Sequence, residues 1–176
     1  MKSPIIVALD MESKRALELA KKLNPQECKV KVGSQLFTAD GPIIIDKLNE
    51  LGFDIFLDLK FHDIPNTVKK AVEAAIKMGV WMLNVHSLGG KEMLRAAYEV
   101  VEKASIKPLL VGVTVLTSLN NKALKECGIG LNTKDQVLLL AKLCQAEGLN
   151  GVVCSANELS ILRKHLDEDF LLVTPG

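Results

Sequence analysis

Asp54-Ile55-Phe56-Leu57-Asp58-Leu59-Lys60-Phe61-His62-Asp63-Ile64-Pro65-Asn66-Thr67 reads as a strand, a short loop and the start of a helix. The apolar run Asp54–Leu59 predicts a strand. Pro65, favoured in the first turn of a helix, predicts one that runs to Met78 and stops before Gly79. Side chains on a strand alternate faces, so Asp58 and Lys60 point the same way. Asp63 follows in the loop beyond the strand.

The same unit recurs in both directions. Short apolar, β-branched runs predict strands at Ile5–Leu9, Cys28–Val32, Trp81–Val85, Leu109–Val115, Gly151–Cys154 and Phe170–Thr174. They are apolar on both faces, as parallel strands covered on each side are. Helical patterns lie between them. They are Lys14–Leu23 capped by Ser13, Pro42–Leu51 before Gly52, Lys91–Lys103, a short Asn121–Cys127, Lys134–Glu147 capped by Thr133, and Asn157–Leu166. The first five strands begin at intervals of 23 to 28 residues, the rhythm of repeated βα units. This is an α/β chain, built as a closed barrel or an open doubly wound sheet. No strand leads into a G-x-G-x-x-G turn, which weakens the dinucleotide-binding version. A (β/α)8 TIM barrel needs eight strands and ~200 residues. With seven strands in 176 residues, the expectation is a C-terminally incomplete barrel, a single domain over residues 1–176.

Composition narrows the function classes. The net charge is +1, so nothing argues for a nucleic-acid or membrane surface, and any bound anion must be held by local groups. No apolar run approaches the ~20 residues of a membrane span. No signal peptide is read at Met1-Lys2-Ser3-Pro4. Cys28, Cys127, Cys144 and Cys154 lie far apart with no C-x-x-C, which predicts four buried thiols in a reducing cytoplasm and no metal site.

The chemistry concentrates at the strand ends. Two carboxylates, Asp58 and Asp63, bracket the Lys60 ammonium on an otherwise apolar strand, and such charges are costly to bury unpaired. Taken alone, the cluster also fits a salt bridge that orders a loop. Asp10 ends the first strand, and Lys31 lies on the second, level with Lys60. A solvated-surface explanation would have to hold for Asp10, Lys31, Asp58 and Lys60 independently. In α/β barrels the C-terminal strand ends are where active sites form. His62 and His86 are weaker candidates, His165 a solvated one, and Trp81 a core residue.

The run Asp58-Leu59-Lys60-Phe61-His62-Asp63-Ile64-Pro65-Asn66-Thr67 resembles the signature of orotidine 5′-phosphate decarboxylases. The likeness extends to Val7-Ala8-Leu9-Asp10, Lys31-Val32-Gly33, Asn84-Val85-His86 with Gly89-Gly90, Thr114-Val115-Leu116-Thr117-Ser118, Val153-Cys154-Ser155-Ala156 and Val173-Thr174-Pro175-Gly176. It implies a TIM barrel that converts orotidine 5′-phosphate to UMP and carbon dioxide without metal or cofactor. It also implies roles. Asp10 holds a ribose hydroxyl, and Lys31 bridges the ribose and the acidic residues. Asp58 sits beside the substrate carboxylate. Lys60 stabilises carbanion character at C6 and delivers the proton. Asp63 and Thr67 cross a homodimer interface into the neighbouring site, and Thr117 and Ser118 approach the base. The family's phosphate-gripping arginines follow strands 7 and 8, so none can be named before Gly176, and a polypeptide ending there is expected to be inactive or poorly folded.

Two other readings stand beside this one. The D-x-K-x-x-D core is shared with Mg²⁺-dependent sugar-phosphate lyases, such as 3-keto-gulonate phosphate decarboxylase and hexulose phosphate synthase. Those carry a glutamate near the end of strand 2, where Lys31-Val32-Gly33-Ser34 has none. The third reading is an inactive barrel fragment serving as a binding module. The longer run through Ile64-Pro65-Asn66-Thr67 favours the orotidylate reading.

Overall fold

The apolar runs pair side by side in chain order. A computed structural model describes residues 3–175, so Gly176, the last residue of the resemblance, lies outside the described residues. Strands β1 (Ile6–Ala8), β2 (Lys29–Gly33), β3 (Ile55–Phe61), β4 (Met82–His86), β5 (Leu109–Val113), β6 (Gly151–Val153) and β7 (Leu171–Val173) form one parallel sheet, with β1 and β7 at its edges. Helices α1 (Ser13–Ala20), α2 (Ser34–Asp40), α3 (Ile43–Glu50), α4 (Pro65–Lys77), α5 (Gly90–Lys103), α6 (Asn121–Glu126), α7 (Thr133–Ala146) and α8 (Leu159–Arg163) lie between the strands.

The sheet is curled, and its two faces carry different residues. The outward face, with Val30, Val32, Ile55, Leu57, Leu83, Val85 and Leu110, joins the helices in one continuous apolar core. The inward face carries Phe56, Met82 and Val111, packed with Ile6, Trp81, Leu109, Val153 and Val173. Residues of all seven strands line one cavity of about 920 Å³ inside the curl. The molecule is therefore a partial (β/α)8 barrel, the expected one of the two arrangements that the βα rhythm left open.

Several local expectations are corrected. Ser13 does not cap α1; its hydroxyl bonds the Asp40 carboxylate, and Glu12 occupies the cap position. Asn132, not Thr133, caps α7, accepting the Asp135 N–H at 3.0 Å. The last predicted helix is a 3₁₀ turn, Ala156–Glu158, followed by α8, with a capping box between Ser155 and Glu158. β5 ends at Val113, two residues short of the prediction. Helix α2 was not predicted: it buries only Leu36 and so carries no periodic stripe. Cys28, Cys144 and Cys154 are buried, but Cys127, at the C-terminal end of the short surface helix α6, is exposed.

Candidate active site

The mouth of the curl, at the C-terminal ends of β1 to β3, collects the charged residues. Parallel register places Ala8 beside Lys31 and Gly33 beside Asp58. Asp10, two residues past β1, thereby meets Lys31. The Lys31 Nζ donates to Asp10 Oδ1 at 2.9 Å and to Oδ2 at 3.0 Å, and it lies 3.3 Å from Asp58 Oδ2. Asp58 Oδ1 accepts from Lys60 Nζ at 2.7 Å. The four groups thus form a line of alternating charge, Asp10–Lys31–Asp58–Lys60, along the cavity wall.

Asp58 is the most enclosed of the four, with a side chain 13% exposed. Burial pushes its carboxyl upward. Hydrogen bonds from Lys60 and Asn84 and the charges of Lys60 and Lys31 more than offset this, so the net shift is downward and the group stays a carboxylate.

Two residues that sequence reasoning passed over complete the arrangement. Gly33 sits against the Asp10–Lys31 pair: a Cβ there would lie 2.8 Å from Asp10 Oδ1 and 3.3 Å from Lys31 Nζ. A side chain at position 33 would therefore force the Asp10 carboxylate to shift. Asn84, fully buried in β4, donates from Nδ2 to Asp58 Oδ1 at 2.7 Å and accepts the Lys60 backbone N–H on Oδ1 at 2.7 Å. Gly33 and Asn84 both lie in motifs of the resemblance, but nothing in the pattern of apolar and charged residues singles them out.

The remaining candidates are placed as follows. Asp63 is exposed; its Oδ1 accepts the N–H of Ile64 at 2.6 Å, and it makes no ion pair among the described residues. Thr67 is exposed in the first turn of α4. Thr117 lines the cavity, whereas Ser118 is exposed beside it and does not. His62 and His86 stack with ring centroids 5.0 Å apart. Burial, then the charges of His62 and Lys60, lower the pKa of His86, whose Nδ1 accepts the Leu88 N–H at 3.3 Å. Lys29 shares the inward face of β2 with Lys31 but serves the opposite end. Its Nζ lies 4.8 Å from the centre of the Trp81 ring and donates to the Ser3 carbonyl at 2.7 Å, closing the floor of the barrel.

Against known proteins, the model of the Orotidine 5′-phosphate decarboxylase / HUMPS family matches residues 3–176. The chain belongs to this family. An orotidine 5′-phosphate decarboxylase of Marinomonas sp. is 53% identical over 99% of this chain and 75% of its own length. One of Hydrogenovibrio crunogenus is 54% identical over 98% of the chain and 73% of its own length. The crystal structure of orotidine 5′-phosphate decarboxylase from Lactobacillus acidophilus superposes with a TM-score of 0.92 at 40% identity, covering 99% of this chain and 81% of that one. An uncharacterized conserved protein from Geobacillus kaustophilus superposes equally well, at 40% identity. The chain thus spans about three quarters of the length of its curated relatives in the orotidine 5′-phosphate decarboxylase / HUMPS family.

Proposed function

We propose that this member of the orotidine 5′-phosphate decarboxylase / HUMPS family decarboxylates orotidine 5′-phosphate to UMP and carbon dioxide, acting as a carboxy-lyase, with the charged barrel mouth as its catalytic centre. The observation that carries the reading is the 2.7 Å pair of Lys60 and Asp58 on the wall of a cavity large enough for a nucleotide. Loss of carbon dioxide from the pyrimidine leaves an electron pair at C6 in the plane of the ring, with no π system to receive it. A fixed ammonium at that point stabilises the developing charge and then supplies the proton. Lys60 is that ammonium. Asp58 lies beside the leaving carboxylate and holds Lys60 in place. Lys31, bonded to Asp10, adds its charge to the Lys60 and Asn84 hydrogen bonds that keep Asp58 ionised, and faces the ribose together with Asp10. In the loop after β5, Thr117 approaches the base from the cavity wall, and Ser118, outside the cavity lining, would reach it only by a shift of that loop. The reaction requires no metal and no organic cofactor, because Lys60 carries the positive charge that a metal would otherwise bring.

The working enzyme is a homodimer with shared sites. Asp63 is exposed, makes no ion pair with the array of its own chain among the described residues and binds the Ile64 N–H, and Ile64 beside it is 66% exposed. A second copy packed over Ile64 would receive Asp63 and Thr67 into its own mouth, where Lys31 already has two carboxylate partners but the Lys60 ammonium, among the described residues, has only Asp58. Nucleic acid and membrane are not partners in this reading. Among the described residues no helix is long and apolar enough to cross a membrane. The four cysteines are free thiols, in keeping with a cytoplasmic compartment. The names of the curated relatives favour orotidine 5′-phosphate over a sugar phosphate as substrate.

The test is direct. Purified full-length protein should consume orotidine 5′-phosphate, followed by its loss of ultraviolet absorbance, and Lys60→Ala should be inert while remaining folded. A folded Lys60→Ala protein working at close to the wild-type rate would refute the assignment.

A further inference from the structure

We infer that Asn84 is a positioning residue for the decarboxylation: it holds both the backbone of Lys60 and the carboxylate of Asp58 in their working geometry. The inference rests on the reading that Lys60 and Asp58 carry the chemistry, and adds a residue outside that set. It begins with an irregularity in the sheet. Leu57 pairs with Leu83 and Phe61 pairs with Val85, so β3 uses four residues where β4 uses two. The segment 58–60 therefore bows out of the ladder opposite Asn84. Lys60, within the bow, has φ +51°, the only positive value at a non-glycine residue among those described. An L-residue in that region costs ~1–2 kcal/mol and persists only where its surroundings impose it.

Asn84 supplies that imposition. Its carboxamide replaces the missing ladder bond, accepting the Lys60 N–H at 2.7 Å, and the other end of the same amide donates to Asp58 Oδ1 at 2.7 Å. Asp58 Oδ1 thus receives two donors, Asn84 Nδ2 and Lys60 Nζ, while Oδ2 faces Lys31. One rigid, fully buried group fixes both partners of the catalytic pair through two different atoms. A hydroxyl is too short to span both positions, and an aliphatic side chain offers neither bond. A carboxylate keeps the acceptor but turns the donor into a second negative charge against Asp58. The titratable groups it meets are Asp58 and Lys60 on β3, with Lys31 on β2 beyond Asp58 and His86 two residues along β4; its partner on β5 is the apolar Val111.

The test uses Asn84→Asp and Asn84→Leu in the full-length protein, with steady-state kinetics on orotidine 5′-phosphate and calorimetric binding of UMP. Misplacing the reacting ammonium by about 1 Å costs on the order of 100-fold in rate. Both variants should therefore lose about 100-fold in kcat, with KM and UMP affinity within about threefold of wild type. For Asn84→Asp, activity should recover as pH falls, because the protonated carboxyl regains a donor toward Asp58; wild type and Asn84→Leu should show no such rise. A kcat near wild type in Asn84→Asp, a loss confined to KM, or a depressed profile without acid recovery overturns the inference. Should both variants fail to fold, hydrogen exchange in the wild-type protein decides. A Lys60 amide protected at least about 100-fold supports the pin, and an unprotected one refutes it. If Lys60→Ala is inert and Asn84→Asp is normal, this inference alone falls; if Lys60→Ala is active, the functional reading falls with it.

Discussion

Replacing Lys60 by alanine and, separately, by glycine divides the chemical role of this residue from its conformational cost. Both variants lose the ammonium and its 2.7 Å bond to Asp58, so those terms cancel when the two are compared. They differ at φ +51°. Alanine keeps a Cβ in the left-handed region, at ~1–2 kcal/mol, and glycine does not. Glycine gives back ~0.5–1 kcal/mol through the larger freedom of its unfolded chain. The balance favours Lys60→Gly by about 0.5–1 kcal/mol. At this chain length ~1 kcal/mol moves the melting temperature by ~2–4 °C, so Lys60→Gly should melt ~1–4 °C above Lys60→Ala by differential scanning calorimetry. Neither should decarboxylate measurably, since losing the electrostatic stabiliser and the proton donor together costs at least ~10⁴-fold. An alanine variant that melts at or above the glycine variant would refute the account of a strained backbone at Lys60, whatever its activity.

Exhaustive dialysis of the full-length enzyme against a chelator should leave decarboxylation unchanged; activity that returns only with added Mg²⁺ would favour the sugar-phosphate lyases of the same family. Mixing inactive Lys60→Ala and Asp63→Ala chains should restore up to about a quarter of wild-type activity, because half of randomly formed dimers carry one site with both lesions and one with neither. Subunit exchange shown by mass without returning activity would place Asp63 in the site of its own chain. A thiol reagent applied to the native protein should label Cys127 alone, since burial encloses Cys144 and Cys154 and pushes their thiols up to about 11 and about 12. Labelling of Cys144 before unfolding would contradict the packing of α7 on the barrel.

The parts of the fold set by periodicity were legible in the sequence. Alternation places Asp58 and Lys60 on one face, and the inward face of β2 likewise carries Lys29 and Lys31, which the structure separates into a floor and a mouth. The same alternation fails at the bow in β3. Lys60 reaches the cavity through a left-handed backbone, and no pattern of apolar and polar residues encodes a register shift. Asn84 was unreadable for a related reason: in a strand buried on both faces, a single amide looks like any satisfied core polar group until its two partners are known. The caps were misassigned by one residue, because Ser13 and Thr133 both qualify by residue type and only tertiary partners decide between neighbours. Ser13 is drawn away to Asp40, and the Thr133 hydroxyl bonds Asn121 Oδ1 at 2.7 Å.

The cost of the site is concentrated where the chemistry is. The strained non-glycine backbone belongs to Lys60, and the most enclosed charge in the array belongs to its partner Asp58. A left-handed lysine and a carboxylate largely removed from water are each unfavourable alone. They are tolerated because Asn84 and Lys31 satisfy them jointly, and because β3 begins in Ile55, Phe56 and Leu57, which are at most 3% exposed. Burying such side chains contributes ~1.5–3 kcal/mol each, more than the local strain withdraws. The buried half of β3 therefore anchors its strained half. It follows that a truncation such as Ile55→Ala, at a residue that does not line the cavity, should release the bow as well as lower stability. Its signature would be a loss of kcat beyond that of an equally destabilising truncation at Leu94, which is as deeply buried but lies in α5 and not in β3. Equal kcat values for the two at equal melting temperature would show that the mouth holds its geometry without help from the strand below it.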